Sequence, residues 1–314
     1  MVPTSLVLAL WTGLAGATQV ASTCPPQAKP PSPAQIEEGL KNAKDRGFLW
    51  RVTRDGRTSY LYGTMHVGRW DWMFPGPEIM RAVRESDVIA LELDILDPDI
   101  VQRLQAGTAK KPERALPEAL NQRLRAQLKA ACLPEELVSA SAPEMVASTL
   151  TMMAARQDGL DPAYAVDGVY AVMARSLKKP VSSLETPELQ LKLLLSEDPE
   201  ETKAAVESAL DELETNKAGP MLTHMAEIWA NSKLGEMEAY EKWCECLDTE
   251  ADRVMMRRML DERNPGLAKS IDAIHTSGKE VFAAVGSLHM IGKLGLPALL
   301  KERGYTVERV EFKP

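Results

Sequence analysis

Apolar residues are arranged in two different ways along this chain. Near both ends they form short runs of strand length. Phe48 to Val52 and Ser59 to Tyr62 flank Asp55-Gly56, a pair that favours a two-residue hairpin turn because both positions tolerate positive φ. Val88 to Leu93, Glu280 to Val285 and Thr306 to Phe312 are further strand-like runs, and helical patterns through Ile79 to Glu85 and from about Pro297 to Arg303 stand between them. From about residue 98 to 278 the pattern changes. Ala, Leu, Met, Glu and Lys recur at helical spacing, punctuated by prolines such as Pro117, Pro143, Pro187 and Pro265. One β-like piece, Val181 to Leu184, interrupts the helices and ends at Glu185. The Met clusters Met152-Met153 and Met255-Met256 with Met259 read as packed core.

Both ends follow one plan: strand, Gly-x-x-His, loop, helix, strand. The first is Gly63-Thr64-Met65-His66 and the second Gly286-Ser287-Leu288-His289. Nineteen glycines and four histidines in 314 residues would give well under one such spacing by chance. Each unit closes with parallel strands, and the two can share a sheet. The fold class predicted is therefore α/β, a small mixed sheet built from N- and C-terminal halves with a large helical insertion. Histidines at strand C-termini stand where open α/β sheets bind ligands. Gly63 and Gly286 would let the backbone turn and approach a bound group.

Composition narrows the class. With 45% hydrophobic and 26% charged residues the chain is globular, not disordered or fibrous. A net charge of -8 disfavours a nucleic-acid partner, which needs a positive field. The first 28 residues carry no Asp, Glu, Lys or Arg, and Leu6 to Leu14 precede Ala15-Gly16-Ala17, so residues 1–22 read as a secretory leader without a basic start. Residues 23–35, rich in Pro and Ser, read as a flexible tether, and 36–314 as the folded domain. A periplasmic or secreted protein with no transmembrane span is expected. Cys132, Cys244 and Cys246 are too few for a stapled scaffold, and Cys244 and Cys246, two apart on a helical pattern, point apart and should not bond.

Few residues carry candidate chemistry. Glu92 and Asp94 end the Val88 to Leu93 run on one face, and Glu185 precedes Thr186-Pro187, an N-cap and N1 pair. Arg263 precedes Asn264-Pro265, read as N-cap and N1 of the next helix, and could hold a carboxylate or an oxyanion. His224 and His275, on helical patterns, are bystanders. Two imidazoles with a carboxylate can hold a divalent metal, or can work without metal, one histidine acting as general base and a carboxylate orienting it. No H-E-x-x-H, G-x-S-x-G, P-loop or dinucleotide fingerprint is present, which removes the main support for the common zinc peptidases, serine hydrolases, NTPases and dehydrogenases.

Tyr60-Leu-Tyr-Gly-Thr-Met-His66 and Val285-Gly-Ser-Leu-His-Met-Ile-Gly292, with Ala90-Leu-Glu-Leu-Asp94, Val166-Asp-Gly168, Val181-Ser-Ser-Leu-Glu-Thr186, Arg263-Asn264 and Gly304-Tyr305, resemble the TraB/GumN family over about residues 46 to 312. That family belongs with the Tiki proteases and, more distantly, the erythromycin esterases. The resemblance implies a cleft between the two Gly-x-x-His loops, with His66, Glu92, Glu185, Arg263 and His289 as its site. It implies hydrolase-like chemistry, metal-dependent in Tiki proteins and metal-free with a histidine base in the esterases. The expectation is a metal-assisted hydrolase of a peptide or a small ester or amide. His66, Glu92 and His289 would hold Mn, Co or Zn, Glu185 would be the general base, and Arg263 would steady the oxyanion. A metal-free esterase or amidase, and a peptide-sequestering protein without turnover, are the alternatives.

Overall fold

The computed structural model describes residues 24–112, 115–247 and 249–313, so the leader expected over residues 1–22 lies outside the described residues. Six strands, β1 (Phe48–Arg54), β2 (Arg57–Thr64), β3 (Val88–Leu91), β4 (Val181–Ser183), β5 (Val281–Gly286) and β6 (Thr306–Val310), form one mixed sheet in the order β4-β3-β5-β2-β1-β6. The α/β class and the helical insertion are as the sequence predicts. The β1–β2 hairpin turns on Asp55 and Gly56, with φ of 52° and 74°, the doubly positive geometry whose twist matches the strands it joins.

The two halves interleave. β5, from the C-terminal half, lies between β2 and β3 of the N-terminal half and is parallel to both. β4 is parallel to β3, and β6 joins the other edge antiparallel to β1. Each half thus closes with parallel strands, but by skipping over strands of the other. The register Gly63↔Val285 and Thr64↔Gly286 brings both Gly-x-x-His loops out side by side at one end of the sheet.

Helices cover the sheet, so β3 and β5 are buried along their whole length. Their unbroken apolar runs have this cause. Phe282 stacks on Tyr62 at 5.7 Å between ring centroids, with Tyr170 edge-on to Tyr62 at 5.4 Å. Full burial of an aromatic ring such as Phe282 contributes about 1.5–3 kcal/mol. A second apolar cluster, including Leu124, Leu128, Val146, Leu150, Val206 and Leu210, holds together the helices Glu118–Ala130, Pro143–Met153 and Pro199–Glu214 of the insertion. Among the described residues no helix is long and apolar enough to cross a membrane.

The cysteines behave differently from the sequence expectation. All four are paired, Cys24 with Cys132 and Cys244 with Cys246. The helix expected to separate Cys244 and Cys246 stops at Trp243, and Glu245 takes a left-handed φ of 49°, which turns the two side chains to the same side. The tether is fastened as well. Besides the Cys24 bond, buried Arg156 donates to Pro26 O at 2.9 Å while pairing with Asp161 at 3.0 Å, and Lys29 N donates to the Tyr164 hydroxyl at 2.8 Å.

Candidate active site

Four neighbouring parallel strands each deliver one candidate residue at the C-terminal end: β4 leads to Glu185, β3 to Glu92, β5 to His289 and β2 to His66. Glu185 is held by its backbone N–H, which donates to Glu92 O at 3.1 Å and carries the β3–β4 pairing past the strand ends. Asp94, expected on the face of Glu92, turns away and accepts both oxygens' bonds from Arg175 at 2.9 Å, because the strand ends at Leu91 and its alternation ends with it.

Arg263 is the centre of the cluster. Its guanidinium donates through Nε to Glu185 Oε1 at 2.9 Å and through Nη2 to Glu185 Oε2 at 2.6 Å, a bidentate fork. Nη2 also reaches Glu92 Oε2 at 2.5 Å, and Nη1 lies 3.2 Å from His289 Nε2. The arginine side chain is only 6% exposed, and one buried cation offsets two carboxylates.

The two histidines are held by different partners. Asn264 donates its amide to Leu294 O at 2.8 Å, which turns Oδ1 toward His289 Nδ1 at 2.6 Å. Nδ1 therefore carries the proton, and the Nε2 lone pair faces Arg263. Burial, followed by Arg263 and His66, pushes His289 down to about 4 against the pull of Glu92, so it is neutral at pH 7. Asn264 does not serve as the helix cap. The helix begins one residue earlier than expected, with Arg263 at the N-cap position and the amide free for His289.

His66 is 56% exposed and donates Nδ1–H to Asp167 Oδ2 at 2.6 Å. Thr64 Oγ1 donates to the other Asp167 oxygen, and Asp167 sits in the first turn of the helix Val166–Ser176, where the helix dipole favours an anion. The Asp167 charge, the largest influence on it, raises His66 to about 9. Its Nε2 makes no hydrogen bond among the described residues. A Cβ added to Gly286 would stand 3.5 Å from that atom and 3.4 Å from Glu92 Oε1, so a larger residue here would crowd the space they share. The Gly286 N–H donates to Glu92 Oε1 at 2.9 Å. Burial raises the Glu92 carboxyl, but His289, His66, Arg263 and this N–H overcome it and hold Glu92 down at about 2.

Gly63 acts differently from the expectation. A Cβ there would meet Ser287 Oγ at 3.0 Å, so this glycine lets the two motif loops pack together and does not face a ligand. Neither Gly63 nor Gly286 has positive φ, so close approach, not a sharp turn, explains both.

The site therefore has two tiers. His66, Glu92, Asp167 and Arg263 line an open cleft of about 490 Å³, whose other wall is apolar and includes Ile95, Met152, Leu193, Leu194 and Met259. Glu185 and His289 lie beneath and grip Arg263. Met259, read as core, is cleft wall, while Met152 packs against the core as expected and also lines the cleft. Asp167 and Gln190 were missed as site residues. Gln190 donates to Glu185 at 3.2 Å and Glu92 at 3.4 Å from the first turn after the Thr186-Pro187 cap. Val166-Asp-Gly168 was the signal for Asp167. Gln190 left none.

Whether a divalent ion fits can be judged from the donors. His66 Nε2 and Glu92 Oε1 open on one space, but Arg263 stands against His289 Nε2, and among the described residues no group of three His, Cys, Asp or Glu is placed to hold an ion. In this arrangement the three-donor set of His66, Glu92 and His289 is not assembled.

An α/β sheet with a polar cluster at the ends of its parallel strands, roofed by an apolar cleft, has the layout of a binding site for a small molecule or peptide. The chain belongs to the TraB/PrgY/gumN family, which it matches over residues 48–309. It is 26% identical over 246 residues to the uncharacterized protein YbaP of Shigella flexneri, covering 78% of this chain and 88% of that protein. The YbaP of Escherichia coli K12 is 25% identical over the same length. A shorter stretch of 109 residues is 33% identical to the metalloprotease TIKI1 of Danio rerio, 32% of this chain and 22% of that protein. No solved structure matches.

Proposed function

We propose that this protein is a hydrolase of carbonyl-centred bonds, peptide or ester, working outside the cytosol. The observation that carries this reading is His66, fixed through Nδ1 by Asp167, with Nε2 open between Glu92 and the cleft. Raised to about 9, His66 is an imidazolium at neutral pH whose Nε2–H can protonate a leaving group, with Asp167 stabilising its charge, and above that pH the neutral ring can take a proton from an attacking water. Glu92, anionic throughout the working range, can accept a hydrogen bond from that water. Arg263, rigid and desolvated, can meet the charge that develops on the carbonyl oxygen. Glu185, with both oxygens taken by Arg263, supports the arginine in this reading, in place of the general-base role its sequence position implied.

A second reading places a divalent metal, Mn, Co or Zn, at His66 Nε2 and Glu92. It is favoured by the Asp167-held imidazole, which is how ligating histidines are often oriented, and by the name of the zebrafish relative. It requires Arg263 to withdraw from His289. Export is supported by two disulfides, which persist in oxidising compartments.

The test is a screen of peptides and esters with wild type and His66→Ala, before and after chelation, together with metal analysis. Turnover that survives chelation and is lost in His66→Ala supports the metal-free reading. Near-stoichiometric metal that disappears in His66→Ala moves the reading to the second. Tight peptide binding with no turnover in either state overturns the hydrolase and leaves a sequestering protein.

A further inference from the structure

A second pocket, of about 330 Å³, lies in the helical insertion, separate from the cleft. Both residues of the Cys244–Cys246 pair line it, with Trp243 and His224, whose rings meet edge-on at 4.7 Å between centroids. Two groups of opposite charge, Glu212 and Lys217, share the wall, and neither side chain makes a hydrogen bond or ion pair among the described residues. Burial and the nearby Asp252 raise the Glu212 carboxyl despite Lys217, as befits an acid with no cation in contact.

We propose that Cys244–Cys246 is a thiol-exchange site whose pocket takes a small zwitterionic thiol, free cysteine or a cysteine-bearing dipeptide. The ligand's ammonium would face Glu212 and its carboxylate Lys217, with its sulfur at the disulfide. Cys246 is the more open of the pair, while Cys244 is 4% exposed. The incoming thiolate attacks Cys246 Sγ, the Cys244–Cys246 bond breaks, and its electron pair leaves on Cys244 Sγ. The backbone N–H of Cys246, 3.2 Å from that sulfur, is placed to stabilise the departing thiolate. The proton released by the incoming thiol ends on Cys244. The products are one mixed disulfide at Cys246 and one thiol at Cys244, with no other oxidant or reductant.

One feature separates this disulfide from Cys24–Cys132. Its partners are two residues apart, against 108, so it gains least from restricting the unfolded chain.

The experiment treats the full-length protein with graded L-cysteine or 2-mercaptoethanol, then traps thiols by alkylation and maps peptides by mass. Each rate is normalised to the same thiol's rate on an unstructured Cys-Ala-Cys disulfide. Cys244–Cys246 should open at a thiol concentration about tenfold or more below that needed for Cys24–Cys132, with the cysteine adduct on Cys246. The normalised preference for cysteine over mercaptoethanol should fall about threefold in each of Glu212→Gln and Lys217→Gln, with unchanged circular dichroism. If the two disulfides open together, if the charged thiol shows no preference, or if Cys246 carries no adduct, the proposal is overturned.

Discussion

The two Gly-x-x-His loops leave neighbouring parallel strands in register, yet their histidines end in opposite states. His66 is 56% exposed, raised to about 9 and bound to a carboxylate. His289 is 4% exposed, lowered to about 4 and bound to an amide, with an arginine against its other nitrogen. One motif therefore supplies a proton-handling group and a neutral prop for a buried cation. Environment, not the motif, assigns the roles.

Substitutions should separate the two roles. The largest effect falls on catalysis. His66→Ala should lower kcat by about 10²–10⁴-fold while the denaturation midpoint moves little, since the ring is exposed and packs little. Equal loss of stability and activity would erase the contrast between the histidines. Arg263→Ala should cost about 3–5 kcal/mol in urea unfolding, because it strands Glu92 and Glu185 as buried unpaired carboxylates. His289→Ala should cost less, about 1–3 kcal/mol, by leaving the Asn264 carbonyl without its donor. Any loss of kcat there should follow from a displaced Arg263, so His289→Gln, which can still accept from the guanidinium, should recover part of it.

The smallest effect is a pH dependence. His66 has a folded pKa raised from 6.5 to about 9, so its contribution to stability is fully present below pH 6.5 and is lost as pH rises through 9. The Tm of wild type minus that of Asp167→Asn should therefore shrink between pH 6 and pH 10. A difference that grows over that interval would contradict the His66–Asp167 ion pair.

Much of the site is legible in the sequence. The hairpin follows from Asp55-Gly56, and the two motif histidines, Glu92, Glu185 and Arg263 all arrive at one place. What escaped has identifiable causes. Asp94 was paired with Glu92 by an alternation that stops at Leu91. Asn264 reads locally as a cap, and only the approach of His289 and Leu294 diverts its side chain. The Cys244–Cys246 bond escaped because helical periodicity gives no notice of the left-handed residue that ends it.

The chain alone determined the strands, the turn that joins the first two, and the presence of a histidine at two strand ends, because these depend on residues a few positions apart. Only the tertiary structure decided which histidine is open to the cleft. His66 meets its carboxylate 101 residues away, Glu92 meets Arg263 at a separation of 171, and His289 meets its amide at 25. Charge state and access depend on those long-range neighbours, and identical local motifs carry no record of them.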